Sequence, residues 1–100
     1  MITTISELKK LARYYLNIKK TQLHSFNIGH NLQFYIIAEV SPIDIGLSIW
    51  RKGCEKMHNE YCIGETYLDK HNKFIGILKE YNLTIDDLRF IIEEQILKEL

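Results

Sequence analysis

The chain has 100 residues, 46 % of them apolar, 13 Lys/Arg against 13 Asp/Glu and 2 Cys. That length fits one domain, residues 1–100, with one modest core; the apolar share argues against a disordered chain, and two Cys do not make a secreted disulfide scaffold. The longest uncharged run, Thr21 to Ala38, is broken by His, Asn, Gln and Gly and is no membrane span, and Lys9, Lys10 and Arg13 interrupt any signal-like apolar start, so a cytoplasmic protein is the expectation.

Zero net charge hides an uneven spread. Met1 to His30 holds five Lys/Arg and one acid, whereas Tyr61 to Leu100 holds five Lys/Arg and eight acids. Such a dipole orients docking or self-association, although two solvated helix faces produce the same pattern. Four S/T-x-x-D/E signals punctuate the chain: Thr4–Glu7, Ser41–Asp44, Thr66–Asp69 and Thr84–Asp87. Each precedes an apolar pattern of helical period, as capping boxes do.

The first helix is expected over Ile5–Lys19, with Ile5, Leu8, Leu11, Ala12, Tyr15 and Leu16 on one face. Lys9, Arg13 and Lys20 line up on another, a solvated surface or a contact for a phosphate or an acidic partner. Leu32 to Val40 is rich in β-branched and aromatic residues and reads as a strand. Leu23 to Ile28 pairs with it across Gly29-His30-Asn31 as a hairpin. A buried helix over Leu32–Val40 is the alternative.

Ser41 to Tyr61 reads as a second helix. Ser41 is its N-cap and Pro42 its first residue; Ile43, Leu47, Trp50, Cys54, Met57 and Tyr61 form one stripe. Ile43, Ile45, Leu47 and Ile49 also alternate at period two, which suits a strand, and Gly46 and Gly53 weaken a helix. A third helix follows over Tyr67–Tyr81, a corner at Asn82-Leu83, and a fourth helix over Ile85–Glu99. The fourth buries Leu88, Ile91, Ile92 and Ile96, with Phe90 and Leu97 on its flanks. The fold class is therefore α+β: an N-terminal helix, a β-hairpin, then three helices, with an all-α bundle as the alternative. The expected core is Leu8, Leu11, Tyr15, Phe34, Ile36, Leu47, Trp50, Met57, Phe74, Leu78, Leu88, Ile91 and Ile92.

Three constellations invite chemistry. Cys54, His58, Cys62 and His71 are legitimate zinc ligands, but their spacing follows no structural zinc pattern, and Cys54 sits within an apolar stripe where Cys acts as a small hydrophobe. A Cys nucleophile with a His base from the same set also needs an oxyanion site and a cleft, for which a compact 100-residue chain with no glycine-rich loop offers little room. Ile77 to Ile92 resembles a helix-turn-helix. Its reading face would carry Thr84, Ile85, Asp86, Arg89, Phe90 and Glu93, more acid than base, which phosphates repel. No phosphate-binding glycine loop, nucleotide fingerprint or catalytic carboxylate pair is present.

The expectation is no enzyme, no cofactor and no metal, but a small protein-binding module of the inhibitor, immunity-protein or antitoxin kind that neutralises a partner by covering it. Asp86, Asp87, Glu93 and Glu94 are the expected contacts for a basic partner; Lys9, Arg13, Tyr14 and Lys20 serve an acidic one. A nucleic-acid-binding regulator ranks second and a homo-oligomeric structural module third, so the protein is expected as a monomer or homodimer.

Overall fold

The computed structural model describes residues 3–39, 44–51 and 68–100, and side chains at 3–39, 44–50 and 74–100. Helix α1 spans Ile5–Lys19. Extended Thr4 caps it: its hydroxyl accepts the Glu7 N–H at 3.1 Å, and the Glu7 carboxylate accepts the Thr4 N–H at 3.1 Å. Two donors that a helix start leaves unpaired are thus satisfied reciprocally. Lys20 ends the helix in the left-handed region (φ 55°). Its N–H donates to Asn17 O, and the Thr21 N–H donates to Leu16 O, both at 3.2 Å, closing a Schellman motif.

Strands β1 (Leu23–Ile28) and β2 (Leu32–Glu39) form the expected hairpin, in antiparallel register from Leu23↔Ile37 to Ile28↔Leu32. Gly29 takes the left-handed turn position at φ 59°, where a side chain would be strained. Strand β3 (Asp44–Arg51) pairs on the other side of β2, from Leu32↔Arg51 to Glu39↔Asp44, giving a sheet of order β1-β2-β3.

β3 corrects the expected helix over Ser41–Tyr61. Ile45 and Ile49, off the helical stripe, are 1 % and 0 % exposed, while Trp50, on that stripe, is half-buried on the opposite face. The period-two alternation wins because β2 offers a second edge whose inner face needs three apolar neighbours: Ala38, Ile36 and Phe34 lie opposite Ile45, Leu47 and Ile49. Gly46, which weakens a helix, suits this strand. A Cβ there would come within 2.8 Å of both Ile37 Cγ2 and Glu39 Oε1. Asp44 opens the strand instead of closing a capping box; Ser41, residues 52–61 with Met57, and Thr66 of the Thr66–Asp69 signal lie outside the described residues. The sheet also disposes of the all-α alternative.

Helix α2 spans Leu68–Glu80. Asn82 (φ 58°) turns the chain after it: its N–H reaches Lys79 O at 3.0 Å and the Leu83 N–H reaches Leu78 O at 2.7 Å. This second Schellman motif leads into Thr84, which caps helix α3 (Ile85–Glu99) with the Asp87 carboxylate accepting the Thr84 N–H at 2.7 Å. The class is α+β.

The inner sheet face (Phe26; Leu32, Phe34, Ile36; Ile45, Leu47, Ile49) joins Leu8, Ala12, Tyr15 and Leu16 of α1, Phe74, Ile77 and Leu78 of α2, and Leu88, Ile92 and Ile96 of α3 in one buried cluster. Leu11 and Ile91, expected in the core, are only partly buried at its margin. The outer sheet face is mixed: Tyr35 meets Trp50 edge-on at 6.4 Å, and the Tyr35 hydroxyl donates to Gln33 Oε1 at 2.9 Å. Among the described residues no helix is long and apolar enough to cross a membrane.

Candidate protein-interaction surface

Helices α1 and α3 lie side by side and run parallel, a relation set by polar ties at both ends. At the start, Asp86 Oδ1 accepts the Thr3 N–H at 2.9 Å and also the Thr3 hydroxyl. These two donors stabilise the ionised carboxyl and hold the Asp86 pKa below the usual carboxylate range, the side-chain bond contributing most. At the end, Lys19 Nζ lies 3.0 Å from Glu99 Oε1, which raises the Lys19 pKa. Parallel packing presents both solvent-facing flanks over the same length.

Between those flanks is an apolar groove of about 580 Å³. Leu11 and Tyr14 of α1 form one wall, Phe90, Glu93, Glu94 and Leu97 of α3 the other, and buried Ile96 the floor. Tyr14, Phe90 and Leu97 are 51, 59 and 72 % exposed. One large apolar residue in water is ordinary; three around one depression are the kind of patch that marks a contact site. The groove's charge comes from α3. Arg89 Nε is 3.4 Å from Glu93 Oε1, without the geometry of a hydrogen bond, and the guanidinium stands 4.9 Å from the Phe90 ring centre. Glu94 has no ion-pair partner among the described residues.

The structure sorts the expected contact residues into three groups. Tyr14, Glu93 and Glu94 converge on the groove. Asp86 and Asp87 are engaged in the fold, one tied to Thr3 and the other in the Thr84 cap. The basic stripe turns away from the groove: Lys9 Nζ pairs with Asp44 Oδ2 at 2.8 Å, which lowers the Asp44 pKa, and Arg13 adds a weaker pull on the same carboxylate. Lys20 is exposed as the residue that ends α1. Acidic edge and basic stripe therefore do not share one surface, and Tyr14 belongs with the acids.

Leu11, Phe90, Ile96 and Leu97 complete the groove without having been expected as contacts. Their signal was present: Phe90, Glu93/Glu94 and Leu97 follow i, i+3/4, i+7, a second stripe on a helix whose core stripe was already full. Of the helix-turn-helix reading face, Asp86 is held by Thr3, Phe90 and Glu93 line the groove, and Arg89, its one cation, packs between Glu93 and Phe90. Cys54, His58 and Cys62 lie outside the described residues, as does the side chain of His71 on α2; among the described residues no three His, Cys, Asp or Glu gather as a metal would need. Protein-family models, curated proteins and solved structures were each compared with the chain, and none matches.

Proposed function

We propose that the protein is a cytoplasmic protein-binding module of the inhibitor or immunity type, without enzymatic activity, and that it neutralises its partner (a toxin, a nuclease or a host enzyme) by covering it with the α1–α3 face. The observation that carries this reading is the groove in which exposed Tyr14, Phe90 and Leu97 stand beside Glu93 and Glu94. Aromatic anchors in an apolar depression supply binding energy, and a charged rim supplies orientation and on-rate. The matching partner surface is an apolar segment flanked by Lys or Arg, laid along two parallel helices as an amphipathic helix lies in a groove.

The test uses the tagged full chain as bait in lysate of the cell that makes it, in parallel with Phe90→Lys/Leu97→Lys and Glu93→Lys/Glu94→Lys variants. One stoichiometric partner held by the parent chain is expected to be lost with the first pair, since removing a central anchor costs more than about 2 kcal/mol, or roughly thirtyfold in affinity. The second pair weakens capture chiefly at low salt. A partner held equally by all three chains places the contact elsewhere. Co-eluting DNA or RNA that salt removes supports a nucleic-acid regulator instead.

A further inference from the structure

Strand β1 is one edge of the sheet, and its backbone is half unused. Ala38 N–H donates to Gln22 O at 2.8 Å, so in antiparallel alternation residues 24, 26 and 28 bond to β2 while 23, 25 and 27 point away from it. Thr21 occupies the outward groups of Leu23: its hydroxyl donates to Leu23 O at 3.1 Å and accepts the Leu23 N–H at 3.5 Å. The N–H and C=O groups of Ser25 and Asn27 have no hydrogen-bond partner among the described residues.

Edge strands are ordinarily blunted by a charge, a proline or a bulge, because open donors and acceptors template pairing with another chain. β1 (LHSFNI) has none of these. No Lys, Arg, Asp or Glu occurs between Thr21 and Ala38, the register from Leu23 to Ile28 is continuous, and no proline is present. By contrast, β3 opens on Asp44, held by Lys9, and its inner-face residues are covered.

We infer that β1 pairs with β1 of a second copy, antiparallel about a two-fold axis at Phe26, joining two sheets into one of six strands. Self-complementarity selects this occupant. A two-fold at Phe26 sets Ser25 against Asn27 of the second copy and Asn27 against its Ser25, which pairs the open N–H and C=O groups of the two copies with each other and leaves Leu23, already served by Thr21, outside the ladder. Every side chain brought together is uncharged or, for His24, held neutral by burial in the fold, so no like charges meet. Ser25 and Asn27, both exposed, leave the approach unobstructed. His24, Phe26 and Ile28 extend the inner face of one sheet into that of the other. The contact is small, below the roughly 1,200 Å² at which stable interfaces begin, so the dimer is weak and reversible. It uses a surface other than the α1–α3 groove and does not rest on the partner-covering reading.

Sedimentation equilibrium of the full chain, from about 10 µM to about 1 mM, is expected to show a mass rising from one chain towards two, the range a contact of this size implies. Ser25→Pro removes only an outward N–H, leaves the β1–β2 ladder whole and is expected to stay monomeric throughout. Ser25→Lys and Ser25→Glu each place two like charges diagonally across the axis, on positions roughly 7–8 Å apart and within reach of long side chains, and are expected to raise the dimerisation midpoint about two- to threefold. Mixed in equal amounts, these two variants are expected to associate as a heterodimer, a result that a folding defect does not produce. A single-chain mass at every concentration overturns the proposal, as does a dimer that all three substitutions leave unchanged.

Discussion

Ile36 and Ile37 are consecutive, identical in chemistry and on opposite faces of the central strand, so truncating each in turn measures the value of the inner face. Ile36 is 0 % exposed and Ile37 38 % exposed. Ile36→Ala removes three buried carbons, about 2.4 kcal/mol of transfer free energy at roughly 0.8 kcal/mol each. The cavity left between the sheet and the helices adds about 1 kcal/mol, for a total near 3.5 kcal/mol. Ile37→Ala forgoes about three-fifths of the same transfer term, roughly 1.5 kcal/mol, and encloses no cavity because its neighbours Leu23 and Gly46 border solvent. The loss of β propensity is common to both sites and cancels in the difference. The expected gap is therefore about 2 kcal/mol, or roughly 8–12 °C in melting temperature for a chain of this length. Equilibrium urea unfolding reads it as a lower midpoint with an unchanged slope. Equal costs at the two positions, or a larger cost at Ile37, would refute the assignment of faces on β2 and with it the register of the whole sheet.

Two further predictions follow from local geometry. His24 Nε2 shares a hydrogen bond with Tyr15 Oη at 3.2 Å, and its ring packs 5.0 Å from Tyr15 and 4.7 Å from Phe26; burial, aided by Lys19, depresses its pKa. The unfolded chain then binds the proton more readily, so this contribution to stability is present above the unfolded value, about 6.5, and is lost as pH falls through the folded one. Unfolding free energies at pH 7.5 and 5 are expected to differ less in His24→Phe than in the parent chain; an unchanged difference would exclude His24 as the source. Lys20, strained at φ 55°, is the residue to replace by glycine: Lys20→Gly is expected to stabilise by about 0.5–1 kcal/mol, whereas Lys20→Ala gains nothing, and a thermal melt without this split counts against the left-handed cap.

Legibility in the sequence followed the range of the interaction. The bounds of α1 and α3, and the hairpin about Gly29, were readable because their signals span a few residues: Thr4 with Glu7, Thr84 with Asp87, a glycine between two β-rich runs. Ser41 to Tyr61 misled for the same reason. A cap signal and a stripe through Leu47 and Trp50 are local, whereas the competing claim on Ile45, Leu47 and Ile49 came from the free edge of β2, which no window of neighbours contains. The contact residues divided likewise. Glu93 and Glu94 could be picked as exposed acids, but Asp86 could not be recognised as structural without Thr3, eighty-three positions away.

By itself, then, the sequence determined where the two long helices begin and end, where the hairpin turns, and which face of each helix is apolar, because caps, turns and periodicity act through bonds between near neighbours. The tertiary structure alone decided that a third strand follows the hairpin, that α1 and α3 run parallel, and that Tyr14 meets Phe90 and Leu97 across a groove. Those outcomes depend on which surfaces are left unpaired once the local elements exist, and on ties such as Lys19 to Glu99 that join the two ends of the chain. The edge of β1 stays open at Ser25 and Asn27 for the same reason: Thr21 closes only the groups of Leu23, and among the described residues nothing covers the other two.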